Sequence, residues 1–147
     1  MSIKGDTINS ILKGLNISNE RYRHIISYLQ QLIDDYKGQP IDIIKEIPLN
    51  LKGNERYFAL FYVGNSFSPL FSGMDDKEKT DFVVNITNAL KLSKERIDII
   101  TDYMSDTIRK QMKENIPTIE IIKEIIDSKF IDVEKDYIIF VFGMILA

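Results

Sequence analysis

The sequence has no cysteine, no tryptophan and only one histidine among its 147 residues. Without cysteine, the chain has no disulfide bond, no thiol nucleophile and no zinc site built from cysteine. The single histidine, His24, excludes any metal site that needs two histidines, and no nucleophile elbow accompanies it. The seven glycines form neither G-x-G-x-x-G nor G-K-[ST], the loops that hold nucleotide phosphates. We therefore expect a protein that is not an enzyme, and the sequence assigns no catalytic, cofactor-binding or metal-binding residue.

A strong excess of one charge is also missing. The chain has 19 basic and 22 acidic side chains, for a net charge of −3. Binding to a nucleic-acid backbone requires a clustered basic surface, and the sequence offers only a local patch at Arg109, Lys110 and Lys113. The charge therefore argues against nucleic acid as a partner.

Long apolar runs are absent as well. The longest, from Tyr137 to Ala147, is about half of the roughly 20 residues that a helix needs to cross a bilayer. The first six residues lack the apolar stretch of a signal peptide. We expect a soluble cytoplasmic protein that makes no membrane contact.

What the sequence does contain is an internal repeat. A shift of about 75 residues, with two short insertions, aligns residues 6–64 with residues 81–143. The clearest match is Ile41-Asp-Ile-Ile-Lys-Glu-Ile47 against Ile119-Glu-Ile-Ile-Lys-Glu-Ile125. We interpret the pattern as a tandem duplication, in which both copies fold alike and share one core within a single domain, residues 1–147. Residues 65–77 are predicted to be a loop that Phe67, Leu70 and Phe71 hold against the core.

Each copy is predicted to contain four helices. The first has apolar residues at helical spacing, and the second, the longest, follows Ser18 or Ser93 as its N-cap. The third covers residues 41–47 or 119–126, and Pro48 is expected to end the first of these. The apolar stripes predicted for the long helices are Tyr22, Ile25, Ile26, Leu29, Ile33 and Tyr36 in copy one, and Ile97, Ile100, Met104, Ile108 and Met112 in copy two.

The fourth segments, residues 55–64 and 134–143, are aromatic and β-branched, so a buried strand is possible. We favour helices, with Asn54 and Asp132 as N-caps, because the neighbouring segments have helical period. The predicted fold is therefore all-α, with about eight helices in two halves related by a pseudo-two-fold axis. It becomes α+β if the aromatic segments are strands. Helices apolar on nearly all sides should lie against each other at the centre, and the shared Gly64 and Gly143 should allow close backbone approach.

Exposed polar residues shared by both copies are the candidates for function, since packing alone does not require them. Salt bridges and helix capping explain most such residues, and the alternative is a symmetric contact surface. Lys45-Glu46 and Lys123-Glu124 are shared in the same way. The candidate contact surface consists of Glu20, Arg21, Tyr28, Glu95, Arg96 and Tyr103.

Three other groups are assigned structural roles. His24 follows Glu20 by one helical turn, which an ordinary i,i+4 pair explains. Asp34 and Asp35 are adjacent on a helix, so they diverge by about 100° and do not meet at one substrate atom. Asp75, Asp76 and Glu78 are expected to cap a helix.

The segment from Asp75 to Ser93, with acidic residues opening a helix that runs into Leu-x-Leu-Ser, resembles the tellurite-resistance B-type helical domain. The Asp-Gly pair of that family is missing here, so the resemblance transfers no metal-binding residue to this chain.

The hypothesis that we favour for function is a small non-enzymatic helical module that binds another protein or associates with itself. The apolar C-terminus, residues 142–147, either docks into the core or contacts a partner. A second hypothesis is a ligand-binding or sensor domain with an apolar pocket between the halves, and a third is a nucleic-acid-associated regulator. The aromatic residues that would line the pocket are Tyr57, Phe58, Phe61, Tyr62, Tyr137, Phe140 and Phe142.

Overall fold

The computed structural model of the protein describes the backbone of residues 5–146 and the side chains of residues 7–146, and every described regular element is an α-helix. The predicted all-α class is confirmed. Residues 1–4 and Ala147, on which the signal-peptide and C-terminus predictions partly depend, lie outside the described range. The helices are α1 (Gly5–Gly14), α2 (Asn19–Asp35), α3 (Pro40–Asn50), α4 (Asn54–Ser66), α5 (Ser68–Ser72), α6 (Asp76–Ala89), α7 (Lys94–Glu114), α8 (Thr118–Asp127) and α9 (Asp132–Ile145).

The segment between the two copies differs from the prediction. Residues 65–77 are not a loop, because α4 continues to Ser66, α5 covers Ser68–Ser72 and α6 begins at Asp76. Phe67 and Phe71 do pack against the core, but Leu70 is 55% exposed. The described range therefore holds nine helices rather than about eight. The extra helix forms where Pro69 lies in the first turn, a position that a proline favours.

Local signals set most helix starts. The hydroxyls of Ser18 and Ser93 accept hydrogen bonds from the backbone N–H groups of Arg21 and Arg96, at 3.1 and 3.2 Å, as predicted. Asp75 and Glu78 cap α6 reciprocally: Asp75 Oδ1 accepts from the Glu78 N–H, and Glu78 Oε1 accepts from the Asp75 N–H. At these three helices a side-chain acceptor one residue before the helix marks its start.

Three predictions about helix ends are wrong. Asn54 and Asp132 are the first helical residues, and their helices are preceded by Gly53 and Ile131. Gly53 has φ +60°, a conformation that favours glycine, and Asn54 instead donates a hydrogen bond to the Leu15 carbonyl. Pro48 does not end α3, which continues to Asn50. Since the helix ends within a turn of Pro48, the missing N–H removes little of its hydrogen bonding.

Helices α4 and α9 cross at the centre of the molecule, and their aromatic side chains fill the core. Phe58, Phe61, Phe140 and Phe142 are fully buried, and Tyr137 is 1% exposed. At the crossing, a Cβ placed on Gly64 would lie 2.2 Å from the carbonyl oxygen of Phe140. A Cβ on Gly143 would lie 2.3 Å from the carbonyl oxygen of Phe61. The close backbone approach predicted for the two glycines is therefore present.

The contacts at this crossing are reciprocal. Gly64 meets Phe140, and Gly143, its counterpart in the alignment, meets Phe61, the counterpart of Phe140. Reciprocal contact is what a two-fold relation produces. Asn16 and Lys91, also counterparts, both adopt left-handed backbone, with φ 58° and 59°. The duplication stays a prediction, with these matching geometries in its support.

The rest of the core follows the predicted stripes in part. Leu32, which the stripes left out, is buried, and Ile26 and Ile97 are only half-buried. Ile25, Leu29, Ile100 and Met104 are buried, whereas Met112 is 78% exposed. At the C-terminus Phe142 and Met144 are buried, so the apolar C-terminal segment docks into the core through these two residues. Within residues 5–146, no helix has both the length and the apolarity to cross a bilayer.

Candidate contact surface

Arg21 and Arg96, predicted for the contact surface, each form an ion pair inside its own half. Arg21 donates two hydrogen bonds to Glu55, through Nε at 3.0 Å and Nη2 at 2.8 Å. Arg96 does the same to Glu134, at 2.7 and 2.9 Å. The forked geometry of arginine matches a carboxylate in both cases. These pairs tie α2 to α4 and α7 to α9, so both arginines have a structural role.

The two ion pairs differ in burial. The Glu134 side chain is 2% exposed, whereas that of Glu55 is 27% exposed. The hydrogen bonds from Arg96 hold the pKa of Glu134 below its usual value, and the backbone N–H of Ile131 adds to this effect. The hydrogen bonds from Arg21 likewise lower the pKa of Glu55. The ion pair in the second half is the more shielded from water, so its loss should lower the unfolding free energy by more.

Tyr28 and Tyr103 lie at the junctions of α2 with α3 and of α7 with α8. The hydroxyl of Tyr28 accepts a hydrogen bond of 2.8 Å from Asn50. The hydroxyl of Tyr103 donates one of 3.2 Å to Glu124 Oε1. Burial, with the nearby Glu124 carboxylate, raises the pKa of Tyr103 to about 12, so this tyrosine stays a neutral hydrogen-bond donor. Phe130 packs edge-on against the Tyr103 ring, with centroids 5.1 Å apart.

The remaining predicted residues, Glu20 and Glu95, are exposed in the first turns of α2 and α7. Their position favours an anion because of the helix dipole. A shallow groove of about 300 Å³ is lined by Glu20, Arg23, His24 and Ser27. Of the six residues, two are in ion pairs, two join helices and two lie at helix starts. That they form a contact surface stays a prediction.

One buried ion pair includes a residue that differs between the two aligned segments. Arg56 on α4 donates to Asp136 on α9, with Nε 2.9 Å from Oδ1, and the Asp136 side chain is 5% exposed. The repeat aligns Arg56 with Lys135 and Asp136 with Tyr57, so this ion pair has no equivalent among the side chains of residues 7–146. Burial raises the pKa of Asp136, and the Arg56 hydrogen bonds oppose that shift. A mismatch between the copies was the only hint that the sequence held.

The aromatic residues expected to line a pocket between the halves instead make up the packed core. Apart from Tyr62, which is half-buried, the seven are at most 7% exposed. The surface depressions described here are lined by other residues. Among the described side chains, no three His, Asp or Glu residues gather closely enough to hold a metal ion.

Three depressions adjoin one another around helix α8, and we call this region the α8 face. Ile119 on α8 packs against Gly14 on α1, where an added Cβ would lie 2.5 Å from Ile119 Cγ1. The depressions measure about 530, 320 and 160 Å³; the first two share Ser10 and Ile119, and the last two share Ile116. They are lined respectively by Ser10, Lys13, Gly14, Asn16, Ile119, Glu120 and Lys123; by Thr7, Ser10, Gln111, Asn115, Ile116, Pro117, Thr118 and Ile119; and by Tyr103, Asp106, Thr107, Lys110, Ile116, Ile121 and Glu124.

The α8 face draws on both aligned segments, because α1 falls within residues 5–64 and α7 and α8 fall within residues 81–143. It is polar at its rim, where Lys13, Glu120 and Lys123 lie, and has isoleucines at its floor. This mixture is typical of a surface that contacts another macromolecule. Sequence reasoning missed it because only folding brings α1 beside α8.

The chain matches no protein family model, no curated protein sequence and no solved structure. The resemblance of residues 75–93 to the tellurite-resistance B-type domain thus gains no support from a family match, and function rests on the geometry alone.

Proposed function

We propose that this protein is a non-catalytic helical module that binds another protein through the α8 face. The observation that carries the proposal is the continuity of the three depressions around one helix. A small ligand favours one enclosed cavity that covers most of its surface. A protein segment needs an extended surface with a polar rim and apolar points of contact.

The state of the ionisable groups supports a binding role over catalysis. The buried carboxylates of Glu134 and Asp136 are both hydrogen-bonded to arginines. A general base needs a carboxylate or an imidazole that is free to take a proton from a substrate. The proposal also includes a cytoplasmic location, which fractionation of the source cells tests.

The repeat provides a matched pair of variants for the test. Lys123 on the α8 face and Lys45 on α3 are both exposed, and both occur in the sequence Ile-Ile-Lys-Glu-Ile. Reversing the charge of Lys123 should weaken binding, because charges at an interface rim act on the rate of association. Reversing Lys45 changes the net charge equally, but away from the α8 face.

The experiment is affinity capture from a lysate of the source cells with the wild-type protein, K123E and K45E as baits. We expect the wild type and K45E to retain the same protein in stoichiometric amount, and K123E to retain at least severalfold less. A photo-crosslinking residue at Glu120, with Asp42 as the matched control site, should label that protein from Glu120 only. Equal capture by all three baits, or equal labelling from both sites, would contradict the proposal. A sedimentation measurement distinguishes a second copy of this chain from a different protein.

A further inference from the structure

The smallest depression of the α8 face lies between α7 and α8. We call it the tyrosine cleft, because Tyr103 is part of its lining. Its volume is about 160 Å³, and its lining includes Tyr103, Thr107 and Glu124. A cavity of about 150 Å³ is large enough for one six-membered carbon ring.

In the first half of the molecule, a side chain of the protein itself lies beside the counterpart of Glu124. The residues equivalent to Tyr103 and Glu124 are Tyr28 and Glu46, by the offsets of the repeat. Tyr36 lies beside Glu46, because its hydroxyl donates a hydrogen bond of 3.3 Å to Glu46 Oε2. Burial raises the pKa of Tyr28, and the nearby Glu46 carboxylate and Tyr36 hydroxyl add to that shift. Tyr36 also packs against the core.

The second half lacks this internal occupant for a local reason. Helix α2 ends at Asp35, so Tyr36 is its C-cap and leaves the helix axis. Helix α7 continues to Glu114, so its equivalent residue, Gln111, is still helical and lines the neighbouring groove with Asn115. A longer helix and a smaller side chain together leave the cleft open.

The hydrogen-bonding groups of the cleft are also incomplete in the second half. Glu46 accepts from Tyr36 with Oε2 and lies 3.4 Å from the Asn50 amide with Oε1. Glu124 accepts from Tyr103 with Oε1, and no described residue donates to its other oxygen. A carboxylate oxygen readily accepts a further donor. The Glu124 side chain is exposed, so this oxygen is accessible to a hydroxyl from another protein.

We propose that the tyrosine cleft binds the phenol ring of a tyrosine on the partner protein, whose hydroxyl donates to Glu124. The partner's tyrosine would take the place that Tyr36 holds in the first half. The cleft is prepared for it, because Tyr103 is held by Glu124 on one side and by Phe130 on the other. This inference rests on the proposed function, since it names the side chain by which the partner is recognised.

The test uses the whole protein and a small phenol. Titration of the ¹⁵N-labelled chain with 4-fluorophenol should shift the amide signals of Tyr103, Thr107 and Glu124, with a dissociation constant on the order of millimolar for a ligand of this size. The matched ligand, 4-fluoroanisole, has the ring but no hydroxyl donor, and should bind about tenfold more weakly or not at all. Equal binding of both ligands, or shifts spread over the surface, would overturn the proposal.

Variants of this protein locate the 4-fluorophenol site and test the comparison between the first and second halves. Glu124→Ala should weaken 4-fluorophenol binding about tenfold, whereas Asp127→Ala, on the same helix outside the α8 face, should leave it unchanged. Tyr36→Ala should open the first-half site, so that 4-fluorophenol also shifts the signals of Tyr28 and Glu46. If Tyr36→Ala does not fold, the Glu124 and Asp127 variants still test the proposal, and unchanged binding by Glu124→Ala contradicts it.

A cleft-filling variant separates this inference from the proposed function. Thr107→Phe should abolish binding of 4-fluorophenol and weaken capture of the partner protein at least tenfold. If the partner still binds Thr107→Phe fully, the tyrosine inference is wrong and the interaction module stands. If no protein binds the wild type while 4-fluorophenol binds as expected, the proposed function is wrong and the cleft stands as a phenol site.

Discussion

Adding a methyl group to either glycine at the crossing of α4 and α9 should force the two helices apart. In Gly64→Ala the new Cβ would lie 2.2 Å from the Phe140 carbonyl oxygen, whereas ordinary van der Waals contact begins at 3.4 Å. The obstacle is backbone on a packed helix, so no side-chain rotation relieves it. The two helices must move apart by about 1.2 Å to remove the overlap.

The size of that displacement indicates how much unfolding free energy the substitution should cost. A gap of about 1 Å already forfeits up to half of the dispersion energy of the atom pairs it separates. The pairs affected lie among the most buried aromatic side chains of the chain, including Phe61 and Phe140. Overpacking costs about 1–3 kcal/mol when neighbours can adjust and more when they cannot, so we expect a loss of about 3 kcal/mol or more. The melting temperature should fall by roughly 10 °C.

Urea unfolding followed by circular dichroism measures the loss, and Gly73→Ala is the control. A Cβ on Gly73 would meet its nearest atoms at 3.6 Å, which is ordinary contact. That variant should change the unfolding free energy by less than about 1 kcal/mol. The double variant Gly64→Ala, Gly143→Ala should cost less than the sum of the single ones, since the first already separates the helices. A Gly64→Ala protein as stable as Gly73→Ala would refute the reasoning.

Two further predictions concern the ion pairs. Glu134→Gln should lower the unfolding free energy at neutral pH by about 1–2 kcal/mol, and the exposed equivalent Glu55→Gln by less than about 1 kcal/mol, in the same urea assay. Because the folded pKa of Glu134 is lowered, its contribution is present above its ordinary pKa and lost as pH falls through the folded value, so Glu134→Gln should flatten the acid limb of a stability–pH profile. Arg56→Met should cost about 3 kcal/mol by leaving the Asp136 carboxylate buried without its partner, and adding Asp136→Leu should recover most of the loss. Because burial raises the folded pKa of Asp136, Arg56→Met should regain stability as pH falls through that value, and a flat profile would contradict this assignment.

Much of the local structure could be predicted because it depends on neighbours in the chain. Ser18, Ser93 and Asp75 cap helices through residues three positions away, and such contacts are visible in the sequence. The errors fall where a distant contact decided the outcome. Asn54 was expected to be an N-cap, but its side chain reaches the carbonyl of Leu15, just after the end of α1. Met112 fits the apolar spacing of α7, yet no helix of the described range covers it, and it is 78% exposed.

The candidate site was less predictable than the fold. The repeat drew attention to residues that both halves retain, and Arg21 and Arg96 proved to hold each half together. The α8 face and the tyrosine cleft arise where the halves differ. Gln111 in place of Tyr36 is a difference of one residue, and its effect is evident only once the longer α7 is known.

The sequence by itself determined the helical class, the positions of most helices and the equivalence of Gly64 with Gly143. These follow from hydrophobic period, capping chemistry and the internal repeat, all of which act over short stretches or by comparison within the chain. Only the tertiary structure decided that α1 lies against α8, that Arg56 of one half pairs with Asp136 of the other, and that the second half has an open cleft where Tyr36 fills the first. Such contacts join residues far apart in the chain, and short-range pattern does not encode which distant surfaces will meet.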